Sequence, residues 1–264
     1  MQKQQHFSSV FISDIHLGNQ DCKAEFLLDF LNNISCDKLF LVGDIVDLWQ
    51  MTKQFRWPAA HNDVLHKIMA LSHGNTQVIY LPGNHDEPLQ KYQGLQFGDV
   101  KICREYIHTA NDNKKYLVFH GDQCDGDVTL GKFQAWIGDK GYDLLLFLNR
   151  HYNRYKAWRD GSYWSLAGYI KSRIKGANKA IYRYKLAACK RAKAKGLDGV
   201  ICGHIHHPEQ DEVLGVSYIN DGDWVENCSA LVENMDGSME ILHWTGLNQA
   251  QTLKFPIKKA KKAA

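Results

Sequence analysis

The segment Phe7-Ser8-Ser9-Val10-Phe11-Ile12-Ser13-Asp14-Ile15-His16 runs from an apolar strand pattern directly into two polar side chains. Residues 7–12 have the composition of a short buried strand, which ends at Ser13 and Asp14. Asp14 and His16 are two positions apart, so both side chains would leave an extended backbone on the same side. A carboxylate and an imidazole placed together in this way can bind one divalent metal ion.

Further polar clusters follow apolar runs in the same manner. They are Gly43-Asp44, Gly83-Asn84-His85-Asp86, His120-Gly121-Asp122 and Gly203-His204-Ile205-His206. In the first third of the chain, strand patterns alternate with helical patterns: strands at 7–12, 38–42 and 77–81, helices at 24–33 and 61–73. This β-α-β-α-β order predicts a parallel sheet, and ligands of such sheets bind beyond the carboxyl ends of the strands, where these clusters fall.

The later chain has shorter strand patterns separated by turn residues. A hairpin is predicted around Asn111-Asp112-Asn113, and strands are predicted at 199–202, 212–214, 216–219, 230–233 and 239–243. The fold class is therefore α/β, with two mixed sheets that are partly antiparallel at their edges and flanked by helices.

The five clusters together predict a site for two metal ions. We expect one ion to be held by Asp14, His16, Asp44 and His206, and the other by Asp44, Asn84, His120 and His204. A carboxylate shared by two such ions is typical of enzymes that hydrolyse phosphoesters. His85 follows a predicted ligand and is the candidate general acid, with Asp86 as the candidate residue that orients its ring. The imidazole-rich set suits Mn²⁺, Fe²⁺ or Zn²⁺ better than Mg²⁺ alone.

A long stretch at residues 126–195 separates two of the ligand clusters and is predicted to be a helical cap over the active site. It is rich in aromatic and basic residues, and the candidate substrate-binding residues are Arg150, Arg154, Trp158, Lys171, Lys175 and Asn178. Such a cap could hold a substrate with phosphate and apolar parts or lie on an anionic membrane surface. Alternatively, its aromatic residues form a core of their own. In either case, the main domain is predicted to consist of residues 1–125 and 196–250, and residues 251–264 are predicted to be a basic tail.

Composition sets limits on the function. The chain has 264 residues, 44% of them hydrophobic, a net charge of +3, and seven cysteines without a CxxC pair. Reduced thiols, the lack of an apolar run of roughly 18 residues and the absence of a signal-peptide pattern favour a cytoplasmic enzyme. A net charge this small does not favour a nucleic-acid partner over a phosphorylated small molecule or lipid.

The order D-x-H, GD, GNHD, HGD and GHxH resembles the calcineurin-like metallophosphoesterase superfamily over roughly residues 7–243. The resemblance implies an αββα sandwich, four layers in which two sheets lie between helices. Three features are similar to the UDP-2,3-diacylglucosamine pyrophosphohydrolases of bacterial lipid A biosynthesis. They are the stretch at 126–195 (the insert), the chain length and the segment Gly43-Asp44-Ile45-Val46-Asp47-Leu48-Trp49. That similarity implies manganese and cleavage of a pyrophosphate to UMP and a lipid monophosphate at the inner face of the membrane.

One residue departs from that group, because its main branch carries Arg at the position of His85. Three alternatives therefore stay open. They are a nuclease or cyclic-nucleotide phosphodiesterase, a phosphatase of broad specificity, and a scaffold without catalytic activity.

Overall fold

The computed structural model of the chain describes residues 4–126, 152, 175–246 and 249–252. The strands of the described part are β1 Gln5–Ile12, β2 Ile34–Leu41, β3 Gln77–Tyr80, β4 Gln96–Phe97, β5 Val100–Ile102, β6 Tyr106–Thr109, β7 Lys115–Val118, β8 Gly199–Cys202, β9 Glu209–Val213, β10 Val216–Asn220, β11 Ser229–Glu233, β12 Met239–Gly246 and β13 Gln249–Thr252. Its α-helices are α1 Ala24–Asn33, α2 Leu48–Lys53, α3 Ala59–Ser72 and α4 Lys175–Ala194, and 3₁₀ turns cover Glu87–Tyr92 and Asp122–Cys124.

The strands form two mixed sheets. The first has the order β13-β12-β11-β1-β2-β3-β5-β4, in which β1, β2, β3 and β5 are parallel and the outer pairs are antiparallel. The second has the order β6-β7-β8-β10-β9, with a parallel centre and antiparallel edge strands. The predicted mixed α/β architecture is confirmed.

The described part of the chain has four layers, and an apolar cluster lies between each layer and the next. The first packs α1 and α3 on the outer face of the first sheet, through residues such as Leu27, Phe30 and Val64. The second lies between the two sheets and includes Phe11 and Phe40, whose rings stack 4.5 Å apart. The third packs α4 on the outer face of the second sheet. The order helix, sheet, sheet, helix is that of the αββα sandwich.

Helix α1 shows how the sequence pattern produces this packing. Its buried residues Ala24, Leu27, Phe30 and Leu31 recur at intervals of three and four, which places them on one face of the helix. The predicted bounds of α1 are those of the structure, and α3 and the hairpin of β6 and β7 also form as predicted. Helix α2 was missed, because its six residues include none that is buried and therefore give no apolar periodicity.

Helix α4 forms the last part of the predicted cap, and its packing belongs to the main sandwich. Ala187, Ala188 and Ala192 on this helix are buried against the second sheet. The remainder of the cap, up to residue 174, stays a prediction. Strand β13 reaches Thr252, at the start of the predicted tail, and residues 253–264 lie outside the described part. None of the helices in the described part is both long and apolar enough to cross a membrane.

Candidate metal centre

The seven predicted metal ligands meet where the central strands of both sheets end. Asp14, Asp44 and Asn84 follow β1, β2 and β3 of the first sheet, in that order. In the second sheet, His120 follows β7, and His204 and His206 follow β8. The parallel centres of the two sheets therefore bring together side chains that are far apart in the sequence.

The backbone at these positions turns sharply instead of continuing the strands. Asp14, His16, Asp44, His204 and His206 all have left-handed conformations, with φ between 50° and 70°. Asp14 and His16 do reach one pocket, but the predicted reason, alternation along an extended strand, is wrong. Left-handed backbone at non-glycine residues costs about 1–3 kcal/mol each and tends to concentrate at functional sites.

The ligand atoms form two groups. In the first, the nearest side-chain atoms of Asp14, His16 and His206 lie within 4.8 Å of one another, and in the second the same holds for Asp44, His120 and His204. Asn84 belongs with the second group, since its Oδ1 lies 3.3 Å from His120 Nε2. Asp44 Oδ2 lies between the groups, 3.4 Å from His120 Nε2 and 3.9 Å from His16 Nε2. Asp44 would therefore be the ligand that the two predicted ions share.

The protein holds each carboxylate ligand by one oxygen. Asp14 Oδ2 accepts hydrogen bonds from the Ser13 hydroxyl at 2.6 Å and the His204 amide at 2.8 Å. Asp44 Oδ1 accepts one from the His85 amide at 2.8 Å. The second oxygen of each carboxylate is left to face the centre.

The imidazoles are held in the same way. His120 Nδ1 lies 2.9 Å from the carbonyl of Val42, and His16 Nδ1 lies 3.2 Å from Asp47 Oδ2. His204 Nε2 lies 3.0 Å from both oxygens of Asp125. Contacts of this kind fix the orientation of a metal-binding histidine and select the nitrogen that can bind.

The donor atoms fit divalent ions. Asp14 Oδ1 and His16 Nε2 are buried, and within the described residues neither has a hydrogen bond of good geometry, although His206 Nε2 lies 3.1 Å and His16 Nε2 lies 3.8 Å from Asp14 Oδ1. Buried polar atoms are rarely left unsatisfied, so such a pair facing one pocket indicates that a ligand belongs there. Mixed oxygen and imidazole donors suit Mn²⁺, Fe²⁺ or Zn²⁺.

The electrostatics of the centre are set by opposite charges in a buried space. Burial disfavours ionisation of Asp14 and Asp44, but His206 beside Asp14 and His120 beside Asp44 hold the pKa of each carboxyl well below its usual range. Burial likewise opposes protonation of His16, yet the neighbouring carboxylates of Asp14 and Asp47 raise its pKa to about 10. Binding of a metal ion therefore requires the imidazoles to release protons.

Close packing around Asp44 explains a glycine of the third cluster. A Cβ added to Gly83 would collide with Asp44 Oδ1 and with the His120 ring. Any larger residue at position 83 would displace two of the predicted ligands.

His85 lies at the edge of the centre with part of its ring exposed. Its Nδ1 lies 2.9 Å from Asp47 Oδ1, and its ring is 4.6 Å from that of His16 on one side and 4.6 Å from that of Trp49 on another. The other ring nitrogen is available to a substrate. This is the arrangement expected of a proton donor for a leaving group.

The partner of His85 is Asp47, and not the predicted Asp86. The fully buried Asp86 accepts hydrogen bonds from the backbone amides of Asp44, Ile45 and Gly83 and from the Tyr80 hydroxyl. Asp86 therefore holds together the loops that follow β2 and β3. Burial, together with the nearby charge of Asp44, raises the pKa of Asp86.

Four of the six predicted substrate-binding residues belong to the part of the chain that is not described. Arg150, Arg154, Trp158 and Lys171 lie outside the described residues. Lys175 begins α4, and Asn178 lies in the first turns of that helix with an exposed side chain. Sequence reasoning missed Asp47 and Trp49 as functional neighbours of His85, although both belong to the segment after Gly43-Asp44 that carried the resemblance.

A family model described as calcineurin-like phosphoesterase matches residues 7–208. The chain belongs to this family. It is a metal-dependent phosphoesterase of the αββα type. No curated protein is significantly similar to it in sequence.

Several solved structures are similar to the chain. YfcE, a phosphoesterase from E. coli, is 15% identical, with 93% of this chain and 96% of that chain covered and a TM-score of 0.48. Vps29 from Entamoeba histolytica in complex with Zn²⁺ is 15% identical, with 93% and 97% covered and a TM-score of 0.45. An archaeal phosphodiesterase is 14% identical, with 89% and 98% covered and a TM-score of 0.43.

Proposed function

We propose that the protein hydrolyses the pyrophosphate of a UDP-2,3-diacylglucosamine-type nucleotide lipid, giving UMP and a lipid monophosphate. The ligand assignment belongs to this proposal. Asp14, His16, Asp44 and His206 would hold one ion, and Asp44, Asn84, His120 and His204 the other. When bound, the two ions supply activation of a water molecule and neutralisation of charge on the phosphoryl oxygens.

The observation that supports this chemistry is that each of several ligands contacts the protein through one polar atom and faces the pocket with another. One polar atom of each side chain forms a hydrogen bond to the protein backbone, and the other lies in the common pocket; this holds for Asp14, Asp44 and His120. A surface cluster of acidic and histidine residues would not have this one-sided order. The contacts fix the ligands before an ion or a substrate arrives, and such preorganisation is what a catalytic site requires.

The position of His85 indicates on which side of the site the leaving group would lie. Its Nδ1 is bound to Asp47, so the opposite ring nitrogen is the one that can donate a proton to the leaving oxygen. The exposed indole of Trp49 lies against the His85 ring, so the leaving group would pass beside an aromatic surface. We therefore expect the leaving group of the substrate to carry an apolar part that can contact this indole.

The substrate class is supported by the insert. The insert begins at the metal centre, since Asp125, the residue before it, contacts His204. In the sequence it carries many basic and aromatic residues. A segment of this composition beside a phosphoester site suits a substrate with a pyrophosphate and acyl chains, and it would also allow a peripheral contact with an anionic membrane.

The direct test is to load the full chain with Mn²⁺ and incubate it with UDP-2,3-diacylglucosamine, following release of UMP by chromatography. We expect UMP and lipid monophosphate in equal amounts, and no product from Asp44→Ala. Cleavage of bis-nitrophenyl phosphate without release of UMP would overturn the assigned substrate. In that case, binding of single-stranded DNA that weakens steeply with salt would favour a nuclease.

A further inference from the structure

Tyr184 lies on α4 and reaches from that helix to the metal centre. The side chain is fully buried and belongs to the same apolar cluster as Ala187, Ala188 and Ala192. Its ring lies 6.1 Å from the ring of His204, with the two planes inclined by 33°. Tyr184 is therefore a direct neighbour of one predicted ligand.

The hydroxyl of Tyr184 sits between two ligand loops. It donates a hydrogen bond of 3.3 Å to the carbonyl of Gly203, the residue before His204. The same carbonyl accepts a bond of 2.6 Å from Asn220 Nδ2. Both lone pairs of that oxygen are thus used, and the start of the His204 loop is fixed from two directions.

On its other side the hydroxyl touches the loop of His120. A Cβ added to Gly121 would collide with Tyr184 Oη and would lie 3.2 Å from His204 Cβ. Gly121 also has φ of 122°, which a side chain rarely adopts. The loops that follow β7 and β8 therefore approach each other as closely as a glycine allows, with the Tyr184 hydroxyl between them.

We propose that Tyr184 is a positioning residue for the second ion group, setting the separation of His120 and His204 by wedging its hydroxyl between Gly121 and Gly203. This proposal rests on the ligand assignment made under the proposed function. The rings of His120 and His204 lie 5.1 Å apart, and both must reach the ion that Asp44 shares. A small change in the separation of the two loops would move one nitrogen out of reach.

Tyr184 is held in place by the packing of helix α4 on the second sheet. Helix α4 is packed along the second sheet through its buried alanines, so moving Tyr184 would require repacking of that cluster. The helix that ends the insert is in this way connected to the metal centre.

The test compares ion binding by Tyr184→Phe and Tyr184→Leu in the full chain. Apo protein is titrated with Mn²⁺ and Zn²⁺ by calorimetry, and the ion content is measured by elemental analysis. Asn84→Ala marks which binding event belongs to the second group, because Asn84 Oδ1 lies 3.3 Å from His120 Nε2. Tyr116→Phe is the matched control, since Tyr116 is also buried in the second sheet but packs on Gly199.

Removal of a residue that orients a metal ligand typically weakens binding 10–100-fold. We expect Tyr184→Phe to weaken the event marked by Asn84→Ala about tenfold and Tyr184→Leu about 100-fold, with the other event unchanged. Tyr116→Phe should leave both events unchanged. Unaltered binding in folded Tyr184 variants, or equal weakening of both events, would overturn the proposal.

The outcome is independent of the substrate. If the Tyr184 variants weaken the event marked by Asn84→Ala but the wild type releases no UMP, the proposed substrate fails and the role of Tyr184 stands. If UMP is released and the Tyr184 variants bind both ions normally, only the role of Tyr184 fails.

Discussion

Asp47 binds two imidazoles at once: its Oδ2 lies 3.2 Å from Nδ1 of His16 and its Oδ1 lies 2.9 Å from Nδ1 of His85. The carboxylate is buried, which disfavours its charge, but the two histidines hold its pKa well below the usual range. One side chain thus sets the orientation of a predicted metal ligand and of the predicted general acid. The close approach of the His16, Asp47 and His85 atoms has this explanation and needs no third ion.

The substitution Asp47→Asn should therefore impair both functions. Asparagine still caps α2, where Asp47 accepts a hydrogen bond from the Gln50 amide, so the fold should be retained. We expect kcat to fall by about 10²–10⁴, the usual contribution of a positioned proton donor, and the first ion to bind roughly 10–100-fold more weakly. Steady-state kinetics and calorimetry measure the two effects. Asp63→Asn, at an exposed position of α3, is the control, and normal kcat in Asp47→Asn would refute the shared role.

The substitution His85→Ala should separate proton donation from ion binding. Both ions should be retained, because no predicted ligand is removed, and hydrolysis should slow in proportion to the basicity of the leaving group. Rates for alkyl esters should fall by about 10²–10⁴, and those for nitrophenyl esters much less, since nitrophenolate leaves without a proton. The exposed His66→Ala provides the control. Equal losses on both kinds of ester would remove the general-acid role.

The positions of the ligands could be predicted from the sequence because each follows an apolar run. An apolar strand that ends in Asp, Asn or His places those side chains at the edge of a parallel sheet, and this reasoning identified Asp14, Asp44 and His120. The left-handed backbone at these residues could not be predicted, since neither Asp nor His requires it.

The residues that orient the ligands were less accessible to sequence reasoning. Tyr184 and Asp125 contact His204 across long stretches of chain, and no local pattern specifies such pairs. Asp47 was present in the segment that carried the resemblance, but its role depends on how the loop before α2 returns to His16. Asp86, the immediate neighbour of His85, was the wrong choice because its side chain turns toward the backbone of the loop after β2.

The hydroxyl of Ser13 leads to a prediction about Asp221. Ser13 Oγ lies 2.6 Å from Asp14 Oδ2 and 2.7 Å from Asp221 Oδ1, yet a hydroxyl has one hydrogen to donate. Asp221 must then bring a proton of its own, in agreement with complete burial, which raises its pKa well above the usual range. An amide supplies the same donor, so Asp221→Asn should preserve stability and ion binding.

The two variants at this position should differ clearly. Asp221→Ala removes the donor to the buried Ser13 oxygen, which keeps its bond to Asp14, and should lose about 1–3 kcal/mol in the free energy of unfolding. Because folding raises the pKa of this acid above its ordinary 3.8, wild-type stability should decline as the pH rises above that value, and Asp221→Asn should remove this decline. Urea denaturation at several pH values measures both effects. If Asn proved as damaging as Ala, Asp221 would have to be ionised.

A second buried pair should make the stability of the sandwich depend on acid. His108 on β6 and Glu233 on β11 join the two sheets through a contact of 2.7 Å between His108 Nε2 and Glu233 Oε2. Glu233 also accepts a hydrogen bond of 2.7 Å from the Asn111 amide. Burial opposes the charge of Glu233, but these bonds lower its pKa below the ordinary 4.5.

The sign of the effect follows from that direction. A carboxyl with a lowered pKa in the folded state contributes its full stabilisation above the ordinary value and loses it as the pH falls through the folded value. Glu233→Gln should therefore reduce the free energy of unfolding by about 1–3 kcal/mol at pH 7 and flatten its decline as the pH falls below the ordinary value of 4.5. Urea denaturation across this range provides the measurement, with the exposed Glu212→Gln as the control. An unchanged decline in Glu233→Gln would assign the acid sensitivity to other carboxylates, of which those at the metal centre are the nearest candidates.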